Sequence, residues 1–428
     1  MTPGSMRART LDQWLAYIER QHPATIELGL DRVREVAARM ELGRPATHVV
    51  SVAGTNGKGS TVAFVEAMAR AAGMKVGAYT SPHLFAYNER VRIDGADAAD
   101  ETLAEAFAAV ETARGQVPLT YFEFGTLAAL WLFGRSDLDL AVLEVGLGGR
   151  LDAVNLVDPD VAVITTVDLD HQDWLGNDRE MIGREKVGIA RAGRPLVLGE
   201  DDPPSSVLGR AYAIGAPAIR AGCDFFFEPV DAVRWRWREL DCELELPMPR
   251  LAAPSQLRNA ATAIAALRAL DIDVPAGAIA TGVVRAQLPG RLQRVVRGKV
   301  EIVVDVAHNP QAARELAAWL RSAPAAGRIL AVFAALADKD IAGIVEALGD
   351  DIDAWFVAGL SDVGARGLGD AGFAARLAGT VAADATVSRD VATALAMACA
   401  QARAGDRVLV FGSFHTAAAA LRWLQASD

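Results

Sequence analysis

Residues 49–64, with the sequence VVSVAGTNGKGSTVAF, constrain the fold of this chain more than any other stretch. The segment begins as a β-branched apolar run, typical of a buried strand, and then breaks into a loop that contains three glycines and Lys58. After Ser60, apolar residues recur at helical spacing until Gly73. Glycines in such a turn let backbone N–H groups approach an anion, while the helix N-terminus and the lysine supply positive charge. This order predicts a nucleotide phosphate site formed by Gly54, Thr55, Asn56, Gly57, Lys58, Gly59 and Ser60.

The loop does not match the common pattern G-x-x-x-x-G-K-[ST]. Gly59 separates Lys58 from Ser60, and the first glycine lies three residues before Gly57. A glycine-rich loop alone also fits a tight turn between a strand and a helix that binds no ligand. The choice between these interpretations therefore rests on residues elsewhere in the chain.

The composition indicates a globular protein with more than one domain. A chain of 428 residues is expected to form about two or three domains, and a hydrophobic content of 52% supplies their cores. The net charge of −11 argues against nucleic-acid binding that rests on phosphate neutralisation. The three cysteines lack metal-binding spacing, and no apolar run is long enough for a signal core or a membrane span. We therefore expect a soluble cytoplasmic protein without nucleic-acid or membrane partners.

Strands that alternate with helices predict a doubly wound parallel sheet. The apolar runs at 138–145 and 161–167 suit strands that are buried on both faces. Between residues 224 and 246 the pattern changes to alternation, which predicts a small antiparallel ribbon. We expect Trp235 and Trp237 to form the inner face of this ribbon rather than an exposed stacking surface.

A domain boundary is predicted near residue 290. The segment 288–295, LPGRLQRV, carries the Pro-Gly pair typical of a boundary, and a new series of strands and helices follows it. We therefore expect a nucleotide-binding domain at 1–289, a linker at 290–297 and a smaller Rossmann-like domain at 298–428.

Three polar residues, Ser81, Glu144 and His171, come just after three predicted strands. Ligands of an open parallel sheet bind outside the carboxyl ends of its strands, beside the phosphate loop in this case. Magnesium prefers oxygen ligands, so we expect Ser81 and Glu144 at a first ion and the histidine at a second, more weakly held one. Each residue also has a simpler alternative, namely a turn hydroxyl, a strand-end cap and a loop histidine.

The motifs along the chain resemble, in order, those of the folylpolyglutamate synthase/dihydrofolate synthase family within the Mur ligase superfamily. The loop GTNGKGS resembles the nucleotide loop of that family, and the resemblance covers nearly the whole chain. The further matches are TSPHL (80–84), NERVRI (88–93), TYFE (120–123), EVGLGGRLDAVN (144–155), DHQDWLG (170–176), REKVGI (184–189), NAATA (259–263), PGR (289–291), DVAHNP (305–310) and GSFHT (412–416).

The resemblance implies roles for the matched residues. It implies that Ser81 and Glu144 hold one magnesium ion, that His171 holds another, and that Lys186 is carbamylated (N6-carboxylysine), although from sequence Lys186 is equally an exposed helix lysine. Val306 departs from the glycine usual in this family, which leaves the turn at His308 uncertain. The implied catalytic residues are Lys58, Glu144, Lys186 and His308. The implied ATP contacts beyond the loop are Asn259, Arg291 and Asp305. The implied glutamate contacts are His308 and Ser413. The implied pterin contacts are Arg20, Gln21, His22, Pro23, Thr120, Tyr121, Phe122, Glu123, Leu151, Asp152 and Ala153.

The resemblance also implies the reaction. It implies an ATP-dependent ligase that activates dihydropteroate or a reduced folate as an acyl phosphate and joins it to L-glutamate. The implied cofactors are ATP and two Mg²⁺ ions, with K⁺ as an additional candidate, and the implied state is a monomer. The implied fold is a doubly wound parallel-sheet domain with the phosphate loop, followed by a smaller Rossmann-like domain, as in Mur ligases.

Four other functions are alternatives at this point. A monofunctional folylpolyglutamate synthase would extend folates without using dihydropteroate. A Mur-type cell-wall ligase shares the chemistry but acts on a UDP-linked substrate. A P-loop small-molecule kinase would transfer the phosphate to a stable acceptor, and a non-catalytic nucleotide-binding regulator would lack Glu144 and Lys186, both of which are present.

Overall fold

The computed structural model describes residues 9–22, 26–361 and 363–426. The chain divides into two compact units, and the first comprises the described parts of Met1–Val167, Asn177–Arg250 and Leu257–Ala286. Two short segments, Asp168–Gly176 and Leu251–Gln256, belong to the second unit although the chain on both sides of each belongs to the first. The remainder of the second unit begins at Gln287.

The first unit is organised by an eight-stranded, mostly parallel sheet. Its strands are β1 (His48–Ala53), β2 (Val76–Tyr79), β3 (Val91–Ile93), β4 (Ala96–Asp97), β5 (Leu140–Glu144), β6 (Val161–Ile164), β7 (Leu196–Leu198) and β8 (Ala218–Arg220). They lie in the order β4-β3-β2-β5-β1-β6-β7-β8, and only β3 and β4 are antiparallel to their neighbours. The central strands are almost entirely buried, because helices cover parallel sheets on both faces.

A three-stranded antiparallel ribbon follows this sheet in the chain. Its strands are β9 (Phe225–Pro229), β10 (Arg234–Glu239) and β11 (Cys242–Pro247), in the order β11-β10-β9. Trp235 and Trp237 are completely buried, which confirms that they form the inner face. Trp237 Nε1 donates a hydrogen bond to the Ala261 carbonyl at 3.2 Å, and its ring stacks with that of Phe225.

The second unit contains a six-stranded sheet. Its strands are β12 (Gln293–Arg297), β13 (Val300–Val304), β14 (Ile329–Phe333), β15 (Ala354–Ala358), β16 (Thr386–Ser388) and β17 (Arg407–Phe411). The order is β12-β13-β17-β14-β15-β16, and only β12 is antiparallel to its neighbour. Phe333 and Phe411 stack at 4.9 Å in the core of this unit. Strand β12 lies within residues 290–297, the predicted linker.

Helices connect the strands of both sheets. The α-helices along the described chain are α1 (Leu11–Ile18), α2 (Asp31–Arg39), α3 (Lys58–Ala71), α4 (Asp100–Arg114), α5 (Tyr121–Phe133), α6 (Gln172–Leu175), α7 (Arg179–Lys186), α8 (Ser205–Ile214), α9 (Ser255–Ala269), α10 (Ala276–Arg285), α11 (Pro310–Ser322), α12 (Ile341–Leu348), α13 (Asp370–Arg376), α14 (Val391–Gln401) and α15 (Phe414–Ala426). Within the described ranges, none of these helices has both the length and the apolar character needed to cross a bilayer. The two strand orders confirm the predicted fold class, a doubly wound parallel-sheet domain followed by a smaller Rossmann-like one.

The ribbon provides a direct test of the first unit's packing. We predict that Trp237→Ala lowers the free energy of unfolding by about 3–5 kcal/mol, because it opens a cavity and removes the donor to Ala261. Urea denaturation followed by circular dichroism measures this change. Leu240→Ala is the matched control, since Leu240 is fully exposed and its truncation should change stability by less than about 0.5 kcal/mol. Equal stability of the two variants would contradict the packing described here.

Candidate functional site

Two threonines after β6 hold the phosphate loop, residues 54–60, in place. The Thr165 hydroxyl donates to the Asn56 carbonyl at 2.6 Å, and the Thr166 hydroxyl accepts from the Asn56 N–H at 3.1 Å. The Thr55 N–H donates to the Thr166 carbonyl at 2.8 Å. Because both threonines directly follow a central strand, these bonds fix the loop to the carboxyl edge of the sheet.

The loop continues into α3, whose first residue is Lys58. The Lys58 ammonium donates to the carbonyls of Gly54 at 3.0 Å and Thr55 at 3.3 Å, so it lies folded over the loop. Gly57 has a φ of +86°, and a Cβ there would lie 2.5 Å from Asn259 Oδ1. Glycine is therefore required twice, by the left-handed backbone and by the close approach of Asn259. The structure thus brings Asn259, a predicted ATP contact, to the phosphate loop.

The two residues predicted for the first magnesium ion lie together. Glu144 ends β5 and is buried, and its carboxylate accepts a hydrogen bond from the Ser81 N–H at 3.1 Å. Ser81 follows β2, the neighbour of β5 in the sheet. A buried carboxylate beside a hydroxyl is an oxygen donor set that suits Mg²⁺. Among residues 9–22, 26–361 and 363–426, no three His, Cys, Asp or Glu side chains form a ready ligand set, so an ion here would take its other ligands from water or nucleotide phosphate.

Asp152 is the most strongly perturbed carboxylate of the predicted pterin segment. It is buried, and it accepts hydrogen bonds from the Leu147 N–H at 2.8 Å and the Val154 N–H at 3.0 Å. Burial raises the pKa of Asp152 to about 7, although these bonds and the charge of Lys58 act in the opposite direction. The carboxyl group is therefore present in both protonation states near neutral pH, and it interacts electrostatically with Lys58 of the phosphate loop.

Lys186 ends α7 and is buried, so the exposed-lysine alternative is wrong. Its backbone packs against the loop after β5, since a Cβ at Gly149 would lie 3.1 Å from Lys186 Cα. The Arg150 N–H also donates to the carbonyl of Glu185 at 2.8 Å. The helix end that carries Lys186 is thereby fixed to the loop that follows Glu144.

The segment 120–123 starts α5. Thr120 caps the helix, and the buried Glu123 carboxylate accepts from the Thr120 N–H at 2.8 Å and from Arg32 Nη2 at 2.9 Å. Tyr121 and Phe122 are half-buried, and the Phe122 ring lies so close to Gly146 that a Cβ there would clash with it. The absence of a side chain at Gly146 therefore lets the start of α5 pack against the loop that carries Leu151, Asp152 and Ala153.

The N-terminal piece of the predicted pterin site makes other contacts. Gln21 Oε1 accepts from Arg114 Nη2 at 2.9 Å, and His22 Nε2 lies 3.2 Å from a carboxylate oxygen of Glu27. These bonds have structural roles and do not point to a ligand. Arg20 is exposed, and Pro23 lies outside the described residues.

In the second unit, Asp305 follows β13 and is half-buried. Its carboxylate accepts from the N–H groups of Leu292 and Ala307, each at 2.8 Å. Burial raises the pKa of Asp305, while the charge of Arg291 lowers it. This effect of the Arg291 charge on Asp305 shows that these two predicted ATP contacts lie near each other. The Arg291 guanidinium also lies over the Phe414 ring, 5.1 Å from its centroid.

His308 and Ser413 have defined local partners. His308 Nδ1 lies 2.9 Å from the Val306 carbonyl oxygen, and the Val306 side chain, which stands in place of the family's glycine, is buried. The Ser413 hydroxyl accepts from the Thr416 N–H at 3.0 Å and lies 2.7 Å from the Thr416 hydroxyl, so it caps the start of α15.

An ion pair in the second unit, between the buried Lys339 and the half-buried Asp170, was not predicted from the sequence. Lys339 Nζ lies 2.6 Å from Asp170, whose carboxylate also lies 3.5 Å from His308 Nε2 and 3.3 Å from Asn309 Nδ2. Burial alone would raise the pKa of Asp170, but the hydrogen bond to His308 and the Lys339 charge hold it well below its usual range. This pair anchors the segment that carries His171, which therefore belongs to the second unit, whereas Ser81 and Glu144 belong to the first.

Comparisons with known proteins identify both parts of the chain. The Mur ligase middle domain matches residues 52–225, and the Mur ligase glutamate ligase domain matches residues 290–414. The dihydrofolate synthase/folylpolyglutamate synthase of Escherichia coli (strain K12) is 46% identical over 98% of this chain and 96% of its own length. The same enzyme of Haemophilus influenzae is 40% identical over 95% and 96%, respectively.

Solved structures give the same result. E. coli FolC in complex with DHPP and ADP has 45% sequence identity and a TM-score of 0.92, over 98% of this chain and 99% of that one. A bifunctional folylpolyglutamate synthase/dihydrofolate synthase with Mn, AMPPNP and L-glutamate bound has a TM-score of 0.90 at 45% identity, with the same coverage of both chains.

The close approach of Asn259 to the loop predicts the effect of a single methyl group. We expect Gly57→Ala to raise the Kd for ADP at least about tenfold, because the new Cβ displaces Asn259 or the loop. Isothermal titration calorimetry measures the Kd. Gly73→Ala is the matched control, since Gly73 has a φ of +88° and nothing within 4 Å of the added Cβ. Its backbone strain should be similar and its ADP affinity unchanged, so equal affinity losses would contradict the assignment.

The raised pKa of Asp152 predicts the pH dependence of stability. The folded chain holds the Asp152 proton up to about pH 7, whereas an unfolded aspartate releases it near pH 4. The folded state therefore binds more protons in this window, and the free energy of unfolding falls as pH rises from about 4 to 7, by about 4 kcal/mol from this group. We predict a smaller decline in Asp152→Asn, measured by urea denaturation across this range. Asp12→Asn, at an exposed site, should keep the wild-type slope, and an unchanged slope in Asp152→Asn would disprove this account.

Proposed function

The chain belongs to the dihydrofolate synthase/folylpolyglutamate synthase family of Mur ligases, and we propose that the residues described above carry out that family's reaction here. The protein is an ATP-dependent ligase that forms an amide bond between dihydropteroate, or a reduced folate, and L-glutamate. Its reaction uses ATP and a divalent metal ion. One observation carries our assignment of residues: a single edge of the first sheet brings together the phosphate loop, the Ser81–Glu144 pair and Asp152.

The chemistry explains why a phosphate loop is needed for an amide bond. A carboxylate is a poor electrophile, because it is anionic and has no leaving group. Transfer of the γ-phosphoryl group of ATP to the acceptor carboxylate forms an acyl phosphate, which the amino group of glutamate attacks with release of phosphate. Lys58 is placed to neutralise charge on the transferring group, since its ammonium is held over the loop by Gly54 and Thr55.

We assign Ser81 and Glu144 to the first magnesium ion and His171 to the second. The hydroxyl and the buried carboxylate are hard oxygen donors, and the Ser81 N–H fixes the carboxylate. A bound ion would supply positive charge to the ATP phosphates. Potassium stays an additional candidate.

We propose that Lys186 is carbamylated. Addition of CO₂ to its amine would replace a buried cation with an anion that can lie toward a metal ion. The burial of Lys186 supports this assignment, because a buried ammonium group is costly.

Removal of CO₂ and bicarbonate should lower activity, and their return should restore it. Activity that does not depend on bicarbonate would contradict carbamylation.

We assign the remaining residues by substrate. Asn259, Arg291 and Asp305 contact ATP, and His308 and Ser413 contact glutamate. The pterin contacts are Arg20 to Pro23, Thr120 to Glu123 and Leu151 to Ala153, with the N-terminal group supported least by its contacts. We further propose a nucleotide domain at 1–289, a linker at 290–297, a glutamate domain at 298–428, and a monomer in the cytoplasm. Size-exclusion chromatography with light scattering tests the monomer.

The assignment of Glu144 predicts loss of activity without loss of fold. We expect Glu144→Gln to lower kcat for ADP release at least about 100-fold, because the charge that favours a metal ion is removed while the shape is kept. Circular dichroism should show an unchanged fold. Glu105→Gln, an exposed carboxylate on α4, is the control that should keep wild-type turnover. Normal turnover of Glu144→Gln would remove the metal assignment.

An acyl phosphate intermediate predicts that an oxygen atom of the acceptor carboxylate is transferred to the released phosphate. When the acceptor carboxylate is labelled with ¹⁸O, one labelled oxygen should appear in the released phosphate, because the acceptor oxygen bridges to phosphorus before glutamate attacks. Mass spectrometry of the phosphate measures the label. Unlabelled phosphate during normal turnover would exclude an acyl phosphate.

A further inference from the structure

One carboxylate organises the loop between β2 and β3. Glu89 accepts hydrogen bonds from the backbone N–H groups of Leu84 and Phe85, both at 2.7 Å, and of Ala86 at 2.9 Å. The loop ends in a 3₁₀ turn, Tyr87–Arg90. A carboxylate that accepts three backbone hydrogen bonds holds its loop in one conformation. The side chain that follows Glu89 is therefore presented in a fixed position.

That side chain is Arg90, and its guanidinium is held on two sides. Its central carbon lies 5.3 Å from the ring centroid of Tyr87 and 5.6 Å from that of Tyr121. Its Nε donates to His83 Nδ1 at 2.9 Å. Stacking and this hydrogen bond orient the planar fork without using the two terminal nitrogens.

The terminal nitrogens of Arg90 and of Arg92, the next arginine, differ in their hydrogen bonds. Arg92 directs its guanidinium at the buried carboxylate of Glu66, with Nη2 at 2.7 Å. Arg90 is half-buried, and among the described residues its Nη1 and Nη2 atoms make no hydrogen bond. An oriented guanidinium with two unused donors is complementary to a carboxylate, which it can bind in a bidentate manner.

The position of Arg90 suggests which carboxylate this is. His83 is two residues from Ser81, our first metal ligand, and Tyr121 belongs to the proposed pterin segment. Arg90 contacts both, so it lies along the path from the pterin to the phosphate loop. The carboxylate end of the acceptor must follow this path to reach ATP.

We propose that Arg90 binds the α-carboxylate of the glutamyl residue of folate acceptors, and thereby contributes to the binding of folates but not of dihydropteroate. The inference rests on the proposed function. Dihydropteroate has one carboxylate, which is the group that becomes phosphorylated. A folate has a second, unreactive carboxylate on its glutamyl residue, and only this group gives a cation a means of distinguishing the two acceptors.

The test compares two acceptors in one variant. We expect Arg90→Met to lower kcat/KM for tetrahydrofolate about 10- to 100-fold, mainly through KM, because a charge-assisted hydrogen bond is lost. The kcat/KM for dihydropteroate should change less than about threefold, which is small beside the loss expected for tetrahydrofolate. Arg90→Lys, which keeps the charge but not the fork, should recover part of the loss. Arg135→Met is the matched control, since Arg135 stacks 3.9 Å from the Trp131 ring at the other end of α5 and is exposed.

Each outcome has a distinct meaning. Equal losses with both acceptors would overturn the proposal, because Arg90 would then support the loop or contact the reacting carboxylate. Unchanged kinetics would overturn it as well. The wild-type assay separates the two levels of inference: turnover with neither acceptor would reject the proposed function itself, whereas normal wild-type turnover with equal variant losses would reject Arg90 alone.

Discussion

The alignment of parallel strand ends is the constraint on which the site depends. Strands β2, β5, β1 and β6 are neighbours, and each supplies a chemical group at or just after its carboxyl end. Ser81, Glu144, the phosphate loop and Thr165 are far apart in sequence, yet the sheet places them at one edge. Hydrogen bonds then fix them: the Thr165 and Thr166 hydroxyls hold the loop, and the Ser81 N–H holds Glu144. Much of the geometry of the proposed site in the first unit therefore follows from strand order.

The patterns that predicted the fold are those that burial dictates. Continuous apolar runs located β1, β5 and β6, and alternation located the ribbon with its buried tryptophans, because a strand's side chains reveal which of its faces are covered. The short strands β3, β4, β7, β8 and β16 carry too few residues for any period to be visible. Strand β12 was not predicted for another reason. It follows a Pro-Gly pair, and its half-buried, charged sequence is typical of an edge strand.

Candidate site residues could be predicted where they are neighbours in the chain, and could not be predicted where they depend on pairing between distant residues. The phosphate loop combines glycines, a lysine and a helix start within a few residues, so a phosphate-binding role can be predicted from the sequence. The Asp170–Lys339 pair joins residues that are 169 positions apart, and nothing in either local sequence indicates the other. The burial of Lys186 and the raised pKa of Asp152 are likewise tertiary effects, since neighbours that fold over a side chain determine both.

Release of ADP by the purified protein, with MgATP and L-glutamate, tests the central claim most directly. The assay compares dihydropteroate with tetrahydrofolate as the acceptor and includes a control without acceptor. The account predicts turnover with both acceptors and none in the control, because one phosphate loop activates either carboxylate for attack by glutamate. Turnover with neither acceptor would contradict the account, and turnover with tetrahydrofolate alone would reduce it to polyglutamylation.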